Sequence, residues 1–244
     1  MKIKAMIKIF TDDPAALICF STLKKALTGK TIPRNSWNQT DGFKVRRYDS
    51  YEEYLTHQRS KLTNKLQKEG ETYFSEYDQV FYNALHSRLG QGDLLARLQG
   101  KSVLCLAARL GTEVRAFLDR GAFAIGIDLN PGGPSRYVLE GDFHQMQFAD
   151  KSVDVIYTNS LDHLYDKDKL AGEIWRVLKK SGIAIIEAFQ PNEDIAFGSY
   201  ESFNWSDVGQ LEEFFLQRRF ILKGRTTFTL PWCGTQLVFA KSGD

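Results

Sequence analysis

A chain of 244 residues is long enough for one large α/β domain with an appended segment, or for two small domains. With 43% hydrophobic and 25% charged residues it can bury a sizeable core, and the balance argues against gross disorder. The formal net charge of +2 argues against a nucleic-acid binder.

The first ten residues alternate lysine with apolar side chains, and Thr11-Asp12-Asp13-Pro14 interrupts any longer hydrophobic stretch. That pattern fits neither a signal peptide nor a spanning helix, so the expected location is cytoplasmic. Asp13 as cap and Pro14 at the first position predict a helix over 15–27, ended by Thr28-Gly29. Residues 31–47 are irregular or short strand, with Pro33 and Asp41-Gly42 as turn signals. Ser50 then caps a helix over 51–67, with Glu53 completing a capping box and Leu55, Leu62 and Leu66 along one side. Gly70 stops it, and a second helix over 71–89 carries Tyr73, Tyr77, Val80, Phe81 and Leu85 on its apolar side. Gly90-Gln91-Gly92 is the best joint, dividing an N-terminal helical segment (1–91) from an α/β domain (92–244). Residues 1–98 hold 16 Lys and Arg against 11 Asp and Glu, and the remainder 16 against 19. The basic excess leaves room for an anionic substrate or peripheral membrane contact, but falls well short of a polybasic patch.

From Lys101 strands and helices alternate, which predicts a doubly wound, mostly parallel sheet. The expected strands are 102–107, 123–128, 136–140, 153–158 and 182–188; the expected helices are 112–120, 168–179 and 207–218. Residues 220–228 and 235–240 form an antiparallel pair closing the sheet. Only residues 129–135 separate the second strand from the third, whereas parallel strands usually need a dozen or more connecting residues. A loop should therefore replace the usual helix, leaving that face to the N-terminal helices.

The run from Val103 to Glu113, followed by Ile125-Gly126-Ile127-Asp128, reads as strand, tight turn, helix, then a strand ending in an acid. That is the front half of a nucleotide-binding unit, in which the first turn faces the ligand and the acid takes ribose hydroxyls. Asp128 lies 17 residues beyond Gly111. A further acid in Gly141-Asp142-Phe143 shifts the reading away from a nicotinamide cofactor, as does the absence of Gly-x-Gly-x-x-Gly.

Taken in order, the 103–113 turn, Gly126–Asp128, Gly141–Phe143, residues 153–159 with Leu161-Asp162-His163, and the Arg-Val-Leu-Lys-Lys-Ser-Gly run at 176–182 resemble the class I S-adenosylmethionine-dependent methyltransferases. The likeness is closest to the methyltransferase-domain group; it covers about 100–190 well and 205–242 loosely. It implies a Rossmann-like fold and S-adenosylmethionine as cofactor. Asp128 would hold the ribose, Leu129 would pack on adenine, Asp142 would accept from its amino group, and Phe143 would border the base. The first turn departs from the family, which usually has an acid at Cys105 and glycines at Ala107 and Arg109; Gly111 is kept. Ala107 is expected to be absorbed with negative φ. Arg109 either grips the cofactor carboxylate or points to solvent beside a degenerate turn. Asn159 either faces the methionine end or caps a turn.

Methyl transfer needs alignment more than acid–base help, but a hydroxyl acceptor benefits from a base. His163, next to Asp162 beyond the fourth strand, is the candidate base, with a structural loop histidine as its alternative. His144 is a candidate substrate contact or a backbone-bonding residue. His57, His86, His144 and His163 have no metal-binding spacing, so no metal is expected. Cys19, Cys105 and Cys233 are odd in number and far apart, supporting neither a disulfide framework nor a zinc site.

Along 51–67, Tyr54, His57, Gln58, Lys61 and Lys65 share one polar stripe. It is either a solvated face or a substrate lid suited to a carboxylated or phosphorylated sugar. The Tyr-x-x-Tyr-x-x-His-Gln-x-x-Lys string from Tyr51 to Lys61 also resembles N-terminal segments of methyltransferases acting on bacterial surface polysaccharides. The expected activity is O-methylation of a small molecule or glycan. A non-catalytic binding module and a nicotinamide-dependent oxidoreductase are the alternatives. Acceptor identity and oligomeric state are not encoded in any motif.

Overall fold

A computed structural model describes residues 37–92, 94–132, 136–190 and 198–242. The helix expected over 15–27, with its Asp13 cap, lies outside them. Strands Trp37–Thr40 (β1) and Phe43–Arg46 (β2) pair antiparallel through the two-residue loop Asp41-Gly42. Both loop residues have positive φ (51° and 83°), the geometry that an Asp-Gly hairpin turn requires.

Helix α1, Tyr51–Leu89, starts where Ser50 Oγ accepts from the Glu53 N–H at 3.2 Å. Glu53 reaches back to the Asp49 N–H rather than to Ser50, so the capping box is displaced by one residue. Gly70 (φ 76°, ψ 165°) leaves helical geometry, as expected, and divides α1 into two helical arms that meet at a kink. The chain continues through α2 (Leu94–Leu98), β3 (Ser102–Leu106), α3 (Thr112–Leu118), β4 (Phe123–Asp128), β5 (Val138–Glu140) and β6 (Val153–Thr158). Then come α4 (Lys167–Val177), β7 (Leu178–Phe189), β8 (Phe203–Asn204), α5 (Val208–Leu216), β9 (Phe220–Phe228) and β10 (Gly234–Lys241). Asp166 caps α4 through the Asp168 and Lys169 N–H groups, and Asp207 caps α5 through Gly209.

The main sheet has the order β5-β4-β3-β6-β7-β10-β9, parallel from β5 through β7, with β10 antiparallel to both β7 and β9. This is the mixed, Rossmann-like sheet expected. Chain order runs outward in opposite directions from β3 and β6, which opens a crevice at their carboxyl ends. A second, three-stranded sheet, β1-β2-β8, was not foreseen; it ties residues 37–46 to Phe203-Asn204.

The described residues of the β4–β5 connection contain no helix. The first arm of α1 meets this loop instead. Asn130 Nδ2 donates to the Arg59 carbonyl at 2.7 Å, and a Cβ at Gly132 would come within 2.9 Å of Leu62. The second arm covers the sheet with Phe81, Leu85 and Leu89, packed in one apolar cluster with Val103, Cys105, Val155, Ile183 and Ile185. Nearby, Glu187 is fully buried and accepts from Arg88 Nε (2.8 Å) and Nη2 (2.7 Å), the Tyr157 hydroxyl (2.9 Å) and Gln236 (2.9 Å). Cys105 is a free buried thiol, whereas Cys233 is disulfide-bonded, which cysteine spacing could not show. No helix among the described residues is long and apolar enough to cross a membrane.

Candidate active site at the strand ends

The turn after β3 leads into the crevice. Ala107 (φ 55°), Arg109 (φ 40°) and Gly111 (φ 78°) all take the left-handed conformation. The negative φ expected at Ala107 is therefore wrong, and the backbone follows a glycine-type path without the glycines. Left-handed backbone costs a non-glycine residue roughly 1–2 kcal/mol. Contacts with β4 hold it there. The Ala108 N–H donates to the Ile127 carbonyl at 3.0 Å, and the Arg109 N–H to Asp128 Oδ2 at 3.0 Å. The approach is close enough that a Cβ at Gly126 would meet that of Ala108 at 2.6 Å.

Asp128 is half-buried at the end of β4. Oδ2 takes the Arg109 N–H and Oδ1 the Asn130 N–H at 2.8 Å, so the carboxylate plane is fixed. Each oxygen keeps a second lone pair, the number that two vicinal hydroxyls need. Leu129 is half-buried beside it.

The acid after β5 is engaged differently. Asp142 Oδ2 accepts from the Tyr51 hydroxyl, and Oδ1 from the His144 N–H (2.8 Å) and Nδ1 (3.0 Å). Burial alone would raise this carboxyl; the His144 and Tyr51 hydrogen bonds outweigh it and hold Asp142 below the usual range. His144 is fully buried, and its Nε2 accepts from the Tyr165 and Asp166 N–H groups at 3.1 and 3.2 Å. With Nε2 accepting, Nδ1 carries the proton given to Asp142, and no ring nitrogen remains for a substrate. The substrate contact expected of His144 is thus replaced by backbone anchoring. Phe143 is buried in the core, its ring 4.6 Å from that of His144. Tyr51, Tyr54 and Tyr165 pack around the same imidazole.

At the end of β6, Asn159 is oriented by Ser160, whose Oγ donates to its Oδ1 at 2.9 Å, while Nδ2 points to Glu113 Oε1 at 3.4 Å. Beyond it, His163 Nδ1 faces the Tyr200 carbonyl at 2.9 Å, and Nε2 faces the Lys61 ammonium. A carbonyl only accepts, so Nδ1 carries the hydrogen and Nε2 the lone pair. Asp162 is buried, with Oδ2 3.6 Å from that Nε2; the Tyr200 carbonyl, not Asp162, sets the tautomer.

The polar stripe on α1 is not a solvated face. Tyr54 is fully buried and donates to the His163 carbonyl at 3.0 Å. Gln58 Nε2 donates to the Tyr200 carbonyl and Ser202 Oγ, both at 2.8 Å. The His57 ring stacks on Tyr200, with centroids 4.9 Å apart, and its Nδ1 meets the Tyr48 hydroxyl at 2.8 Å. Burial and then Arg46 push His57 below the ordinary histidine value. Tyr48, Tyr165, Tyr200 and Ser202 border the site and carry no motif, whereas Tyr51 opens the string that runs to Lys61; Glu113 looked like an ordinary acid in a first helical turn. Among the described residues no group of three or more His, Cys, Asp or Glu converges on a metal position.

Residues 104–186 match the family model described as methyltransferase domain. No curated protein matches the chain in sequence. Among solved structures, the fold is similar to a 1,6-didemethyltoxoflavin N1-methyltransferase from Burkholderia thailandensis, crystallised with its substrate and S-adenosylhomocysteine. Identity there is 16%, over 85% of this chain and 99% of that chain, with a TM-score of 0.60. A Haloferax volcanii methyltransferase in complex with its activator is 16% identical over 77% of this chain and 97% of that one, TM-score 0.58. An S-adenosylmethionine-dependent methyltransferase from Thermotoga maritima is 14% identical over 75% and 100%, TM-score 0.56.

Proposed function

We propose that this chain, a member of the class I S-adenosylmethionine-dependent methyltransferases, methylates a hydroxyl of a small molecule or glycan that carries an anionic group, such as a carboxylated or phosphorylated sugar. The cofactor supplies a methyl group on a sulfonium. The acceptor oxygen forms the new bond to carbon, the carbon–sulfur pair of electrons leaves with sulfur, and the hydroxyl proton goes to a base. Asp128 fits the ribose, because its two oxygens are held in plane by backbone amides with one lone pair each to spare. Arg109 suits the methionine carboxylate and Asn159 borders the same end. Ala107 and Gly111 supply the left-handed backbone that brings the turn close.

One observation carries the acceptor reading: Lys61 donates into His163 Nε2. An anionic group on the acceptor would draw the ammonium away and leave Nε2 open to the hydroxyl proton. Asp162, 3.6 Å away, would stabilise the imidazolium that results. Tyr54 and Gln58 then position rather than contact the acceptor, by fastening α1 to the 200–202 segment and the His163 loop. In this reading the first arm of α1 lies over the acceptor, the strand ends of the main sheet bind the cofactor, and the enzyme works in the cytoplasm on a partner that is not nucleic acid.

The non-catalytic alternative is weakened by the turn, which keeps its left-handed path despite Ala107 and Arg109. A panel of uronic acids, sugar phosphates and their neutral counterparts, incubated with methyl-labelled S-adenosylmethionine, tests the proposal. Label on an oxygen of the anionic members supports it. Label on nitrogen, or equal use of neutral sugars, refutes the acceptor class.

A further inference from the structure

Glu113 on α3 and Glu187 on β7 are both almost wholly buried, and they are served very differently. Glu187 receives four hydrogen bonds, two from a guanidinium. Glu113 is 6% exposed, and among the described residues its side chain is met by its own backbone N–H and, at a long 3.4 Å, by Asn159 Nδ2. Buried carboxyls ordinarily meet several donors or a cation. Burial pushes the Glu113 carboxyl up to about 8; its own backbone N–H and Arg109 oppose this, and Asp128 and Asp78 add to it. Its other neighbours, Cys105 and Tyr157, are themselves held neutral by burial first and by this carboxyl second on the thiol. A neutral, under-served acid thus stands at the crevice between β3 and β6, between Arg109 and Asn159.

We infer that Glu113 receives the α-ammonium of the cofactor's methionine end, while Arg109 takes the adjacent carboxylate. The inference rests on the methyl-transfer reading of the crevice. An ammonium brings a directly paired cation and further N–H donors to this carboxyl, and the paired amino-acid charges match an acid and a guanidinium from one turn. Binding then ionises Glu113: the protonated carboxyl and the ammonium become an ion pair, and the proton passes to solvent. At neutral pH the free protein holds that proton, so the affinity for the amino-acid end rises as pH climbs toward about 8.

Calorimetric titrations of the full chain with three ligands test this: S-adenosylhomocysteine, its decarboxylated counterpart, and 5′-methylthioadenosine, which lacks the amino-acid end. Glu113→Gln, close in shape to the protonated acid, should weaken the first two by about tenfold or more and leave the third unchanged. Arg109→Ala should spare the decarboxylated ligand, which separates the two roles. Wild-type protein at neutral pH, titrated in buffers of different ionisation enthalpy, should release a proton with the first two ligands and none with 5′-methylthioadenosine. Glu113→Gln should release none with any. Absence of proton release in wild type overturns the inference without recourse to a variant, as does full affinity of Glu113→Gln for S-adenosylhomocysteine. Failure of wild type to bind any of the three would instead remove the methyl-transfer reading itself.

Discussion

Replacing Asp128 with alanine separates two jobs that the structure gives to one carboxylate. Its oxygens hold the Arg109 and Asn130 amides at 3.0 and 2.8 Å, and each has one lone pair left for a ribose hydroxyl. Hydrogen bonds to a charged group contribute about 1.5–3 kcal/mol each, so losing both hydroxyl partners should weaken binding on the order of 10²–10⁴-fold. The loss of the two amide acceptors also loosens the turn, and that part would weaken any ligand. Calorimetry with 5′-methylthioadenosine and its 2′,3′-dideoxy counterpart distinguishes the contributions. The first should lose most of its affinity in Asp128→Ala; the second, already without hydroxyls, should lose only the turn's share. Equal weakening of both ligands in a folded variant would show that Asp128 only braces the turn. Unchanged affinity for both would remove it from the site.

Arg109→Ala should weaken S-adenosylhomocysteine and leave 5′-methylthioadenosine nearly untouched, with lysine restoring only part of the loss, since an ammonium lacks the two-pronged geometry; calorimetry reads this directly, and equal losses would mean a disrupted turn. His163→Ala should lower turnover by about 10²–10⁴-fold with cofactor affinity kept, and should abolish the limb of the pH–rate profile that rises with pH in the wild type. A profile that survives the substitution would leave His163 as a loop former. Glu113 should also leave a mark on stability. Its carboxyl is raised from 4.5 to about 8 in the fold, so the native state keeps a proton that the unfolded chain surrenders. Its contribution is full below about pH 4.5 and is lost as pH rises toward 8. Urea unfolding should show Glu113→Gln gaining on wild type by about 3 kcal/mol between roughly pH 5.5 and 8.5, at about 1.4 kcal/mol per unit. A constant difference across that range would place the carboxyl in water.

Strands β4 and β6 could be read to the residue because apolar runs there meet turn formers at both ends, and β9 was legible as well, as one half of a hairpin closed through Leu230-Pro231. β7 could not. Leu178–Gly182 reads as a helix end and turn, yet the strand already begins at Leu178, where Lys179 is held by Asp154 at 2.8 Å across the β6 start. The stripe on α1 had the right period and an unreadable destination. Its partners, Tyr200 and Ser202, lie more than a hundred residues away in a segment without a motif. His144 was ambiguous for the same reason, since the amides that occupy its Nε2 belong to Tyr165 and Asp166. At Ala107 the residue type suggested negative φ, and tertiary contacts with β4 decided otherwise. Glu113 gave no signal because an acid in a first helical turn is commonplace; its burial alone makes it unusual.

The kinked helix α1 makes the apparent joint at Gly90–Gly92 a poor place to divide the protein. Phe81, Leu85 and Leu89 complete an apolar layer with β3, β6 and β7, and Asp78 accepts from Thr112 and Arg115 beside the turn. A protease that nicks the chain there would cut a covalent link while leaving the sheet's cover seated. The two fragments should co-elute on a sizing column and part only in denaturant, and the shorter one, supplied separately, should be able to complement the longer.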